Sequence, residues 1–108
     1  MNNLLDFIPV KNEKYTWVEN ENGLISIIIK RDGFVDKLMQ KAFNTPKKTT
    51  VDLDEIGSLV WKNINGKNSI EKIGNILIEH LNDTDFIYER LAKYIQMLNN
   101  NDFITFKK

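Results

Sequence analysis

The second half of the chain carries three apolar stripes of helical period, separated by short polar breaks. That pattern restricts the fold more than any other feature. The first stripe holds Ile56, Leu59, Val60 and Ile64, with Trp61 beside it. The second holds Ile70, Ile73, Ile76, Leu77 and Leu81, and the third Ile87, Leu91, Tyr94, Ile95 and Leu98. Intervals of three and four return to one side of a 3.6-residue helix. The breaks carry matching punctuation. Asp54 and Ser69 stand where an N-cap side chain accepts from the free N–H groups of a first turn. Asn65-Gly66 closes the first helix, since glycine suits the left-handed turn at a helix end. Asn82-Asp83-Thr84-Asp85 carries the next cap, so the last helix is expected from Asp85 to about Asn99, with Asn99-Asn100-Asn101 ending it.

The first half reads differently. Residues 15–19 and 24–30 are rich in β-branched and aromatic side chains and flank Asn20-Glu21-Asn22-Gly23. They predict a β-hairpin with a four-residue loop. Residues 34–43 carry apolar positions spaced for a short helix, stopped by Asn44-Thr45-Pro46. Residues 49–53 predict a third strand, with Val51 and Leu53 on one face and Thr50 and Asp52 on the other. Residues 1–12 read as an extended N-terminal arm, and 103–106 as a terminal strand or tail. The expected class is therefore α+β and winged-helix-like: a small three-stranded antiparallel sheet, then a three-helix bundle. An extra short helix joins strands 2 and 3. The 108 residues fit one domain, 1–108.

Composition removes several kinds of chemistry. The chain has no cysteine, which excludes disulfides, thiolate metal sites and thiol nucleophiles. Its one histidine, His80, lies near a helix C-terminus, where the helix dipole favours partial positive charge. No nucleophile, second base or ligand cluster accompanies it, so no catalytic residue, metal or cofactor is expected. Fifteen basic residues balance fifteen acidic ones, and the balance holds in each half. A neutral chain lacks the basic stripe that phosphate binding needs. Residues 1–6 show no signal-peptide pattern, and the longest apolar run, 27–29, is far too short to span a bilayer. A soluble cytoplasmic protein is expected. Trp61 is expected in the core, while the residues leave Trp17 open between core and sheet surface.

The segment Leu53-Asp54-Glu55-Ile56-Gly57 runs from the third strand into an apolar helix. It is followed by Asn65-Gly66, then by Ser69-Ile70 opening a second helix. Tyr88-Glu89-Arg90-Leu91, Leu98 and Asp102-Phe103-Ile104 complete the pattern. In order and spacing this resembles the PqqD family, over nearly the whole chain; Ile8-Pro9-Val10 and the strand around Trp17 resemble its longer members. The stretch 33–48 is longer than in short members, and Asp102 stands where many carry glycine. The resemblance implies a peptide-binding module, not an enzyme. It would hold the leader segment of a ribosomally made precursor peptide and present it to a modifying enzyme, often of the radical-SAM type. In the family the leader adds as a strand to the third β-strand and packs on the third long helix.

That assigns the peptide contact to Thr49, Thr50, Val51, Asp52 and Leu53, and to Tyr88, Arg90, Leu91, Ala92, Tyr94 and Met97 on the last helix. The residues allow it. An edge strand offers unpaired N–H and C=O groups to an added strand. The last helix has an apolar arc wider than one core requires, with Tyr88 and Ala92 on one shoulder and Phe86, Arg90 and Met97 on the other. Arg90 or Lys93 suits an acidic leader side chain. Which shoulder faces the third strand stays open. The third strand is also able to pair with its own copy, giving a homodimer. The alternative is a winged-helix DNA-binding regulator, which the mixed charge of residues 70–99 disfavours.

Overall fold

Asn20 builds the turn marked at 20–23: its side-chain oxygen accepts from the N–H of Asn22 at 2.8 Å and of Leu24 at 3.0 Å. Gly23 takes the positive φ of 81° that the turn requires. This joins strands β2 (Thr16–Glu19) and β3 (Ile25–Lys30) as an antiparallel hairpin with Trp17 opposite Ile27. Strand β4 (Lys48–Asp52) pairs antiparallel on the far side of β3, with Val51 opposite Ile27. The sheet order is β2-β3-β4. A computed structural model describes residues 4–30, 48–82 and 86–107. The short helix expected at 34–43 and the cap expected at Asp85 lie outside them.

Part of the expected extended N-terminal arm is held in a sheet. After a 3-10 turn at Leu4–Asp6, strand β1 (Ile8–Lys11) pairs antiparallel with the last strand, β5 (Ile104–Lys107). The two form a separate two-stranded sheet. Apolar burial joins the chain ends: Phe7 packs on Phe106 at 5.5 Å between ring centroids, and Tyr15 meets Phe103 edge-on at 5.0 Å. Asn12 closes the join, its amide donating to Asp102 O at 2.7 Å.

Three helices follow the larger sheet: α1 (Glu55–Lys62), α2 (Ile70–Leu81) and α3 (Ile87–Asn100). Asp54 and Ser69 cap α1 and α2 as expected, accepting from Gly57 N–H and Lys72 N–H. α1 ends earlier than the Asn65-Gly66 signal. Asn63 intercepts it, its side-chain amide donating to Leu59 O at 2.8 Å. α2 ends on Asn82 in the left-handed region. Phe86 precedes α3 at φ 61° with no side-chain cap bond.

The core holds Ile25, Ile27 and Leu53 from the sheet side, and Val60, Trp61, Ile73, Leu77, Leu91 and Leu98 from the helices. The buried face of α1 is rotated from the expected stripe. Gly57, Ser58, Val60 and Trp61 are buried, while Ile56 and Leu59 are half-buried. Small residues turn inward because α1 lies close to its neighbours. Ser58 shows this directly: its Oγ accepts from Ile25 N–H at 2.8 Å and donates to Leu53 O at 3.3 Å, tying α1 to the sheet.

Candidate functional site

β4 has one paired edge and, among the described residues, one free edge. Which groups the free edge presents follows from the ladder. Leu53 N–H donates to Ile25 O at 2.8 Å, so Leu53 and, by the two-residue repeat, Val51 and Thr49 point their backbone groups at β3. Thr50 and Asp52 therefore point theirs outward. The Asp52 side chain accepts from Ser26 Oγ at 2.6 Å on the solvent face of the sheet. Val51 is half-buried on the opposite, core-facing side.

The chain passes from β4 through Leu53 to Asp54, and Asp54 is where α3 meets this end of the strand. Tyr94 donates its hydroxyl to Asp54 Oδ1, which also accepts from Gly57 N–H at 2.8 Å. The Tyr94 ring lies so close to α1 that a Cβ at Gly57 would stand 2.7 Å from its Cε1. Burial and the adjacent Asp54 carboxylate push the Tyr94 phenol up to about 12, since both disfavour the phenolate. Beside this ring a cavity of about 270 Å³ is walled by Arg90, Lys93, Tyr94 and Met97. These positions recur at three and four on α3, so they form one flank. The cavity wall is mostly carbon, as the stems of Arg90 and Lys93 lie along it with their charged ends free to reach solvent. No described carboxylate is paired with either cation.

The other flank of α3 faces elsewhere. Tyr88 packs on α2, where a Cβ at Gly74 would stand 2.5 Å from its Cε1, and its hydroxyl donates to Asn75 Oδ1 at 2.8 Å. Ala92, one turn on, is half-buried on the same flank. The structure thus brings Tyr94 to Asp54, just past the end of β4, with Arg90 and Met97 on the same flank of α3, and seats Tyr88 of the other flank on α2. Two expected contact residues expose little or nothing. Leu91 is fully buried at the centre of the core arc, and Leu53 is 5% exposed with its N–H already bonded to β3. Neither side chain belongs to an accessible surface. Lys93, Asp54 and Gly57 enter instead. The spacing of Asp54 and Gly57 marked a helix start, but their shared contact with Tyr94 spans about forty residues and has no local signature.

Trp61 is buried as expected, whereas Trp17 is 39% exposed and stands edge-on to it. His80 is exposed in the last turn of α2. Among the described residues no group of three or more His, Cys, Asp or Glu is arranged to hold a metal ion, and no helix is long and apolar enough to cross a membrane.

The family model described as "Coenzyme PQQ synthesis protein D (PqqD)" matches residues 34–104. The chain belongs to the PqqD family. The matched span of this PqqD-family chain takes in β4, all three helices and both components of the site, the free strand edge and the Tyr94 flank. β1, β2 and β3 precede it. No curated protein and no solved structure matches the chain.

Proposed function

We propose that this PqqD-family protein is a non-catalytic peptide-binding module. It holds the leader segment of a ribosomally made precursor peptide and presents that peptide to a modifying enzyme in the cytoplasm, of the radical-SAM type. One observation carries the reading: among the described residues, a strand edge with unpaired backbone groups leads into Asp54, which holds Tyr94 at the wall of an apolar cavity flanked by two cations without a described acid partner. An extended peptide answers each part. Its backbone pairs with the outward N–H and C=O groups of Thr50 and Asp52. An apolar side chain fills the space beside Tyr94 and Met97, and thioether and aromatic walls tolerate varied shapes. An acidic residue of the leader meets Arg90 or Lys93. Family membership supports the same reading, and so does the absence of net charge, which disfavours a nucleic-acid partner.

The geometry provides a sharp test. Thr50 directs its N–H outward, so Thr50→Pro removes a donor from the free edge without removing one from the β3–β4 ladder. Val51→Pro removes a ladder donor and is the destabilising control. Isotope-labelled protein is titrated with a precursor peptide encoded beside its gene. Amide shifts are expected along β4 and in α3 around Arg90–Met97, and Thr50→Pro is expected to weaken binding while the fold survives. Shifts confined to residues 34–43 or to the Tyr88–Ala92 flank would overturn the site. Failure to bind any co-encoded peptide, together with salt-dependent DNA binding, would overturn the function. A second copy of the chain competes for the same edge, so peptide is expected to dissolve any homodimer formed there.

A further inference from the structure

A second cavity, of about 630 Å³, opens at the other edge of the larger sheet, where β1 turns into β2. It falls in the size range of small-ligand sites. Lys11, Tyr15 and Trp17 wall one side, and Ile64, Asn65 and Gly66 from the loop after α1 wall the other. The Lys11 Nζ lies 4.5 Å from the Trp17 ring centroid and 5.1 Å from that of Trp61. The two indoles stand edge to face, 6.2 Å apart at 82°.

Two donors in this cluster have no oxygen partner among the described residues. Among the described residues no carboxylate lies within ion-pair distance of Lys11. The other wall cation, Lys62, is paired with Glu19 at 3.1 Å, and the wall acid Glu13 is exposed and pairs with no described cation. Lys11 is half-buried, and that burial holds its ammonium below the ordinary lysine value. The Trp61 indole N–H is buried with no acceptor among the described residues. A half-desolvated cation beside open space gains most from an anion that replaces its lost water. A cationic ligand fits poorly, because Lys11 already occupies the ring faces that would attract it.

We propose that this cleft binds a carboxylate joined to an apolar body, with Lys11 as the ion-pairing cation and the Tyr15–Trp17 wall holding the body. The site is independent of the β4 edge, at the opposite side of the same sheet. Among the described residues β2 has an unpaired edge that borders it: Ile27 points its backbone at β4, so its cross-strand partner Trp17 turns its own N–H and C=O outward beside the cavity. The carboxylate therefore has two sources of one chemistry, a small organic acid or the free end of a peptide.

Both tryptophans of the chain belong to this cluster, so intrinsic fluorescence reports on it directly. The full chain is titrated with hexanoate and with uncharged hexanamide of the same shape. Hexanoate is expected to change the emission saturably, and hexanamide to bind at least about tenfold more weakly. Lys11→Met, which keeps the apolar stem, is expected to abolish the preference, and Lys11→Arg to retain it. An acetylated tripeptide ending in leucine, as free acid and as amide, separates the sources. Tighter binding of the peptide acid than of hexanoate assigns the site to a peptide end, and the reverse assigns it to a small acid. Equal response to hexanoate and hexanamide, or no saturable response to either acid, overturns the proposal. The acid-against-amide comparison on the unaltered chain stands even where Lys11→Met fails to fold.

Discussion

Gly57→Ala tests whether α3 is seated on α1 by the Tyr94 ring. In an ordinary helix interior this change is stabilising by about 0.8–1.0 kcal/mol, because alanine loses less conformational freedom than glycine. Here the new Cβ would stand 2.7 Å from Tyr94 Cε1 and 3.0 Å from Cζ, well inside ordinary contact. Asp54 Oδ1 lies 3.3 Å from the same Cβ, so the methyl group is crowded by both partners of the Tyr94–Asp54 bond. Tyr94 must move off α1, which strains its bond to Asp54. Overpacking of this kind costs about 1–3 kcal/mol, and exceeds the propensity gain. The expected net effect is a loss of about 1 kcal/mol, or roughly 4–8 °C in Tm for a domain near this size. The sign should reverse when the ring is absent. In a Tyr94→Ala background Gly57→Ala is expected to stabilise by about 1 kcal/mol, giving a coupling of about 2 kcal/mol in the double-mutant cycle. Urea denaturation of the four proteins, followed by tryptophan emission and circular dichroism, measures it. Stabilisation by Gly57→Ala in both backgrounds would refute the packing argument. Because Tyr94 also walls the proposed peptide cavity, Gly57→Ala should shift the affinity for a leader peptide as well.

The remaining predictions use other contacts. Ser58→Ala leaves the buried Ile25 N–H without its acceptor and should cost about 1–3 kcal/mol in the same denaturation assay. Phenolate absorbance should show a late step at about 12 from Tyr94, and Tyr94→Phe should remove that step. The folded value lies above the ordinary 10.0, so this contribution to stability is present below pH 10 and is lost as pH rises through about 12. Ser69→Ala should cost about 1 kcal/mol through loss of one cap. Asp54→Ala should cost more, since Asp54 caps α1 and also anchors Tyr94; equal losses would contradict that double role.

Much of the molecule was legible along the chain. The 20–23 turn and the caps at Asp54 and Ser69 rest on interactions between near neighbours. Such interactions leave a local signature. Where the readings failed, a distant partner intervened. Residues 8–11 carry too weak an alternation to announce a strand, and they become one because β5 and the Phe7–Phe106 contact receive them. The inward face of α1 turned from Ile56 toward Gly57 and Ser58 because Tyr94 and β3 press on that side. Leu91 sits in the wide apolar arc of α3 like its neighbours, but the arc's centre is spent on the core and only its flanks reach solvent.

The same division holds for function. The order of motifs was enough to identify the PqqD family, and the lack of cysteine to exclude thiol chemistry, because composition and spacing are properties of the chain alone. The choice between the two shoulders of the last helix was not available there. It depends on where a helix packs, and two glycines make that choice: Gly74 receives Tyr88 on α2, and Gly57 receives Tyr94 beside the end of β4. Helical period places residues on a face, but only contact between elements distant in sequence says what that face meets.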